Sequence, residues 1–139
     1  MIRSYELTIP LVAEHGGTLI KNEADNLIAI FERPDPAVRC AVAIQEAHRD
    51  WHASAAEPDR LHVCIGVDYG PFLRLTDDVF GDAVNLAYKL GEDLASRGEI
   101  LVTEPVARAV QGSFRTVPLG TPEVGHVSVA VYRIESPIS

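Results

Sequence analysis

The chain has 139 residues, is 47% hydrophobic and 23% charged, and carries a formal net charge of −8, proportions of a globular protein whose core needs no disulfide or metal staple. That acidity excludes the basic footprint on which non-specific binding to nucleic acid or an anionic membrane depends. No apolar run approaches the length of a membrane span, and two cysteines are too few for a disulfide framework.

Cys40 and Cys64 both lie in apolar surroundings and are expected to be reduced, buried thiols of a cytoplasmic protein. Arg3, Glu6 and Glu14 interrupt the N-terminal segment, which does not read as a signal peptide. A nucleotide ligand stays compatible with the charge, because metal ions and a few local Lys or Arg side chains offset phosphates. We find no repeat or long linker, and treat 1–139 as a single domain.

Along the chain, Ile2, Leu7, Leu11 and Val12 suit a helix over 2–15, kinked at Pro10 and stopped by Gly16-Gly17. Two strands follow at 18–21 and 27–31, joined by a hairpin connection at 22–26. Asp35 is placed to cap the next helix, with Pro36 at its first position. That helix runs to residue 54 and buries Val38, Ala41, Val42, Ile44 and Ala47. A loop at 57–60 leads to a buried strand at 61–67. A second loop, 70–78, precedes a helix over 81–96. A short strand at 100–102, a short helix at 104–111 and closing strands at 115–119 and 127–134 complete the series. Alternating helices and strands predict a mixed α/β (α+β) layer fold.

Several side chains have chemistry to offer. Asn85 and Lys89 stand one turn apart on one helix face, where an amide and an ammonium can meet phosphate oxygens. Asp78 precedes that helix, and either Asp77 or Asp78 could cap it or face a ligand. Lys21 and Asp25 flank the hairpin connection, and a loop carboxylate can hold a hard cation. His48 and His52, four residues apart, lack the glutamate of a zinc motif and read as a surface pair. Trp51 is expected to anchor its helix on the sheet.

Four segments share one resemblance. G-G-T-L-I-K-N-E-A-D-N-L-I-A-I-F from Gly16 to Phe31 and D-V-F-G-D-A-V-N-L-A-Y-K from Asp78 to Lys89 resemble the hairpin and helix-entry motifs of class III adenylate/guanylate cyclase catalytic domains. I-G-V-D-Y-G from Ile65 to Gly70 and G-E-I-L-V-T from Gly98 to Thr103 are similar to the neighbouring strands, in the same order. The resemblance covers roughly residues 10–134 and implies a ferredoxin-like nucleotide cyclase fold, truncated before its first strand.

It also implies roles. Lys21 and Asp78 would read the purine, the ammonium donating to adenine N1 and the carboxylate accepting from the exocyclic amine, which favours ATP over GTP. Asp25 would hold one side of a two-metal site for Mg²⁺ or Mn²⁺. Asn85 would orient the ribose, and Lys89 occupies the place of a transition-state arginine. A head-to-tail homodimer with shared sites is implied, as is conversion of ATP to cyclic AMP and pyrophosphate in a complete domain. The sequence departs from the pattern at Ala24, in place of a hairpin glycine, at Lys89, and in lacking the first metal aspartate. Those departures keep a second reading, a catalytically inactive regulatory homology domain, beside the first.

Overall fold

The computed structural model describes residues 2–23, 26–54, 63–76, 78–96 and 98–137, without the side chains of 2–5, 22–23, 51–54 and 136–137. Ala24, Asp25 and Asp77, the 57–60 loop and the side chains of Trp51 and His52 therefore lie outside the described residues.

Helix α1 (Ile2–Glu14) contains Pro10 without ending there. It stops at Gly16, whose φ of +79° suits glycine, and the Gly17 N–H donates to the Val12 carbonyl at 2.9 Å. A Cβ on Gly17 would come within 2.6 Å of the Phe31 ring, so the chain turns tightly against that ring. Strands β1 (Thr18–Glu23) and β2 (Asn26–Ile30) form an antiparallel hairpin with a register shift between Leu19 and Lys21. Its strands extend further towards the turn than alternation alone suggests.

Helix α2 (Pro34–Ser54) begins one residue before Asp35, so Asp35 is not its cap. Instead Asp35 sits in the first turn and accepts from Arg39 Nε at 2.6 Å, one turn on. Of the strand expected at 61–67, residues 61–62 lie outside the described residues and β3 spans Ile65–Val67; a two-stranded ribbon of β4 (Leu73–Arg74) and β5 (Val79–Phe80) begins within the expected loop and ends just beyond it. Helix α3 (Asp82–Lys89) then passes into a π turn at Leu90–Leu94, where the Ala95 N–H reaches the Leu90 carbonyl at 2.9 Å. Strand β6 (Ile100–Thr103), helix α4 (Glu104–Val110) and strand β7 (Phe114–Pro118) follow. A second small ribbon, β8 (Glu123–Val124) and β9 (Val127–Ser128), precedes the closing strand β10 (Val131–Pro137).

The main sheet is mixed, in the order β3-β6-β10-β7, with β3 parallel to β6 and β10 antiparallel to both of its neighbours. Every residue of β6 is buried, as a strand covered on both faces requires. On one face Val38 and Ala41 of α2 meet Val106 and Val110 of α4 over Ile100 and Val102. On the other, Leu90 packs with Leu101, Val124 and Val131. A third cluster joins α1 to α2 through Val12, Cys40 and Ile44, against which Leu27, Ala29 and Phe31 of the hairpin and Val63 and Ile65 are packed.

Two further expectations are corrected. His48 is 2% exposed and its Nδ1 lies 2.7 Å from the Ile44 carbonyl, so it belongs to the inner face of α2 rather than to a surface pair. Cys40 is buried, and burial pushes its thiol up to about 11; Cys64, by contrast, is exposed. Its place just before β3 leaves it outside the helix cluster that covers Cys40.

Candidate functional site

The site is assembled at the seam between the hairpin and the helix-bearing half. Lys21 leaves β1 at the register shift, where a bulge changes the direction of the strand and its side chains. Asp78 occupies the turn of the β4–β5 ribbon, which is closed by the Leu75 N–H donating to the Asp78 carbonyl at 2.9 Å. Across 57 residues of chain, Lys21 Nζ stands 3.1 Å from Asp78 Oδ1 and 3.2 Å from Oδ2.

The Asp78 carboxylate is held in place from its own side as well. Its Oδ1 accepts from the Val79 N–H at 2.8 Å. That bond, followed by the bond from Lys21, draws the Asp78 pKa below its ordinary value of 3.8. Asp78 is thus an anion at neutral pH, and the pair presents a donor and an acceptor side by side. Asp78 does not cap α3, whose N-cap is Gly81 and whose first residue is Asp82.

A second polar link crosses the seam close by, where Asn26 Nδ2 donates to Tyr88 Oη at 3.4 Å. Tyr88 lies on α3, as do Asn85 and Lys89. Asn85 is exposed, its backbone N–H held by the Gly81 carbonyl at 3.1 Å. Lys89 takes a different course. A Cβ on Gly125, in the turn of the β8–β9 ribbon, would lie 2.7 Å from Lys89 Nζ, so the ammonium rests against that turn. Gly125 has φ +66° and leaves the room that a side chain would take.

Close packing sets the position of α3. A Cβ on Gly66 of β3 would collide with the Ala87 carbonyl and come within 2.6 Å of the Gly91 nitrogen. The π turn that follows lets Leu90 enter the core fully. Sequence reasoning did not single out Gly66, Tyr88 or Gly125; the G in I-G-V was the available signal for the first. Nor did it find Asp68, whose Oδ1 accepts from Thr103 Oγ1 at 2.5 Å and from the Tyr69 N–H at 2.7 Å. That link ties the end of β3 to the end of β6.

No described residues form a group of three or more carboxylate, histidine or cysteine side chains able to hold a metal ion. The described residues therefore do not by themselves fit a metal centre. No described helix is long and apolar enough to cross a membrane.

The α+β layer with its mixed sheet is the fold of nucleotide cyclase domains, as comparison with known proteins shows. A solved adenylate/guanylate cyclase/hydrolase from Silicibacter pomeroyi is 30% identical and superposes with a TM-score of 0.86, over 96% of this chain and 80% of that one. A candidate adenylate cyclase of Rhizobium meliloti (strain 1021) is 31% identical over 112 residues, and the serine/threonine-protein kinase pkn2 of Myxococcus xanthus is 34% identical over 101. Those matches take in 81% and 73% of this chain but 19% and 12% of the lengths of the two relatives. No family model matches the sequence. The chain belongs to the class III adenylate/guanylate cyclase catalytic-domain family.

Proposed function

We propose that the chain is the purine- and ribose-binding part of an adenylate cyclase-type site. The observation that carries this reading is the 3.1 Å pairing of Lys21 with Asp78. An ammonium that donates to N1 and a carboxylate that accepts from the exocyclic amine match adenine, whereas guanine presents the reverse pattern at those atoms. Asn85, exposed on α3, is the proposed ribose ligand, and Lys89 the cation for phosphate oxygens. Asp25 is the carboxylate proposed for a divalent cation, Mg²⁺ or Mn²⁺.

In the complete reaction ATP gives cyclic AMP and pyrophosphate. The ribose 3′-oxygen bonds to the α-phosphorus and the bond to pyrophosphate breaks. A head-to-tail homodimer of single-domain chains is part of the proposal; exposed Leu73, Leu75 and Phe80 on the β4–β5 ribbon supply an apolar surface for it. Lys89 favours the alternative of a binding or regulatory module, because a lysine lacks the planar fork of an arginine and its ammonium rests on the Gly125 turn.

Calorimetry with ATP and GTP tests the reading. ATP is expected to bind at least tenfold more tightly than GTP, and Asp78→Asn to remove most of that preference. Equal affinities, or a preference unchanged in the variant, would overturn the assignment of the pair. Cyclic AMP formation above a metal-free control then separates an enzyme from a binding module.

A further inference from the structure

Two buried neighbours explain how the β8–β9 turn comes to lie against Lys89. Val124 and Leu90 belong to one cluster with Leu101 and Val131. Lys89 comes directly before Leu90 in the chain, and Gly125 directly after Val124. The π turn that starts at Leu90 carries that side chain fully into the core. Burial of the two apolar residues thus sets the ribbon's turn over the end of α3.

The fit between turn and lysine is close and selective. A Cβ on Gly125 would lie 2.7 Å from Lys89 Nζ, but 3.8 Å from Cε and 3.9 Å from Cδ, which are ordinary contact distances. The ammonium itself therefore takes the place of a side chain at 125, and the stem lies alongside. Lys89 is half-buried, and among the described residues no ion pair or hydrogen bond engages its ammonium. In a chain of net charge −8, this cation is held by shape and not by a counter-charge.

From these contacts we infer that Gly125 is a positioning residue, whose missing side chain seats the Lys89 ammonium for the phosphates of a bound nucleotide. The inference deepens the nucleotide reading and rests on it for the identity of the anion. A lysine carries a compact charge on a flexible stem and lacks the pre-organised fork of an arginine. Confinement against the turn removes rotamer freedom that the stem otherwise loses when it meets a ligand. Preorganisation of that kind raises affinity. A cation seated before the ligand arrives also acts on the bound ground state, so it serves binding before it serves rate. The turn therefore supports affinity for the phosphate chain and leaves the choice of base to Lys21 and Asp78.

The seat and its use are tested separately. Lys21 and Lys89 are the two lysines of the chain, so protein labelled with ¹³C at lysine Cε gives one signal from each. Gly125→Asn is the main variant, because asparagine tolerates a positive φ while its Cβ takes the place of the ammonium. Gly125→Ala repeats the test with the Cβ alone. Without nucleotide, the Cε order parameter of Lys89 is expected to fall at least twofold in both variants, with that of Lys21 unchanged. By calorimetry, ATP affinity should drop at least fivefold in Gly125→Asn and adenosine affinity less than twofold. In a Lys89→Met background the side chain ends level with Cε and clears the new Cβ. There Gly125→Asn should alter ATP affinity less than twofold. A Lys89 signal as mobile in the parent as in the variants would overturn the seat. Equal losses for ATP and adenosine, or a loss undiminished beside Lys89→Met, would overturn action through Lys89. Equal affinities of the parent for ATP and adenosine would instead overturn the nucleotide reading and the phosphate role with it, while the order parameters report the seat on their own.

Discussion

The two halves of the molecule are built to different degrees of closure. Strand β6 is buried at all four positions and has a partner on each side, whereas β2 is half-buried at all five and, among the described residues, has a partner on one side. Two helices and the π turn cover the main sheet on both faces, so its stability is spread over many contacts. The hairpin is held by one helix cluster and by polar links across the seam. The candidate site lies on that seam, where Lys21 of the hairpin meets Asp78. Ligand-binding elements are commonly drawn from the less stable part of a fold.

The sharpest way to break the comparison is to shorten equivalent side chains in each half. Leu101→Ala removes a side chain 2% exposed, enclosed by Leu90, Val124 and Val131. Urea unfolding is expected to show a loss of about 2–5 kcal/mol. Leu27→Ala, on the half-buried hairpin, should cost about half as much or less. Equal losses would mean that the hairpin is packed as firmly as the main sheet.

A middle-sized effect concerns the joint between β3 and α3. Gly66→Ala places a methyl against the Ala87 carbonyl and the Gly91 nitrogen, both backbone atoms that cannot turn aside. Overpacking of this kind costs about 1–3 kcal/mol. Because α3 carries Asn85 and Lys89, ATP affinity is expected to fall together with stability. Gly112→Ala is the matched control, since a Cβ there meets nothing within 4 Å. It should leave both quantities unchanged within error.

Much of this architecture is legible in the sequence, and the exceptions have physical causes. The order of the main helices and strands follows from apolar periodicity and from stops such as Gly16-Gly17. The ribbons β4–β5 and β8–β9 have strands of two residues, too short for any period to show. The helix expected over 81–96 divides because a π turn at Leu90 brings that side chain into the core, a choice made by tertiary packing. Asp35 loses its capping task for a local reason, the ion pair with Arg39. The burial of His48 and the exposure of Cys64 differ from expectation because polarity and apolar neighbours are weak guides to burial at one position. For the site, spacing alone puts Asn85 and Lys89 on one helix, but the turn at Gly125 that receives the Lys89 ammonium is remote in sequence. No local pattern links Lys21 to Asp78; that pairing came from the resemblance, and the fold brings the two together.

The smallest expected effect on stability is the one that most directly separates site from scaffold. The Lys21 and Asp78 side chains are 30% and 29% exposed, and an ion pair that open to water contributes little to stability. Lys21→Met, Asp78→Asn and the double variant should therefore unfold at nearly the urea concentration of the parent, with a small coupling in the double-mutant cycle. The pH dependence has a definite sign. Hydrogen bonds from the Val79 N–H and from Lys21 lower the Asp78 pKa below 3.8 in the folded chain. Its contribution is consequently complete above the unfolded value and disappears as pH falls through the lower folded one. The stability difference between parent and Asp78→Asn is expected to be flat from about pH 8 to pH 5 and to vanish only below about pH 4. ATP affinity should follow another course, dropping at least tenfold in either single variant at neutral pH. A loss of stability as large as that of Leu101→Ala would show instead that the pair holds the two halves together, and would make it part of the scaffold.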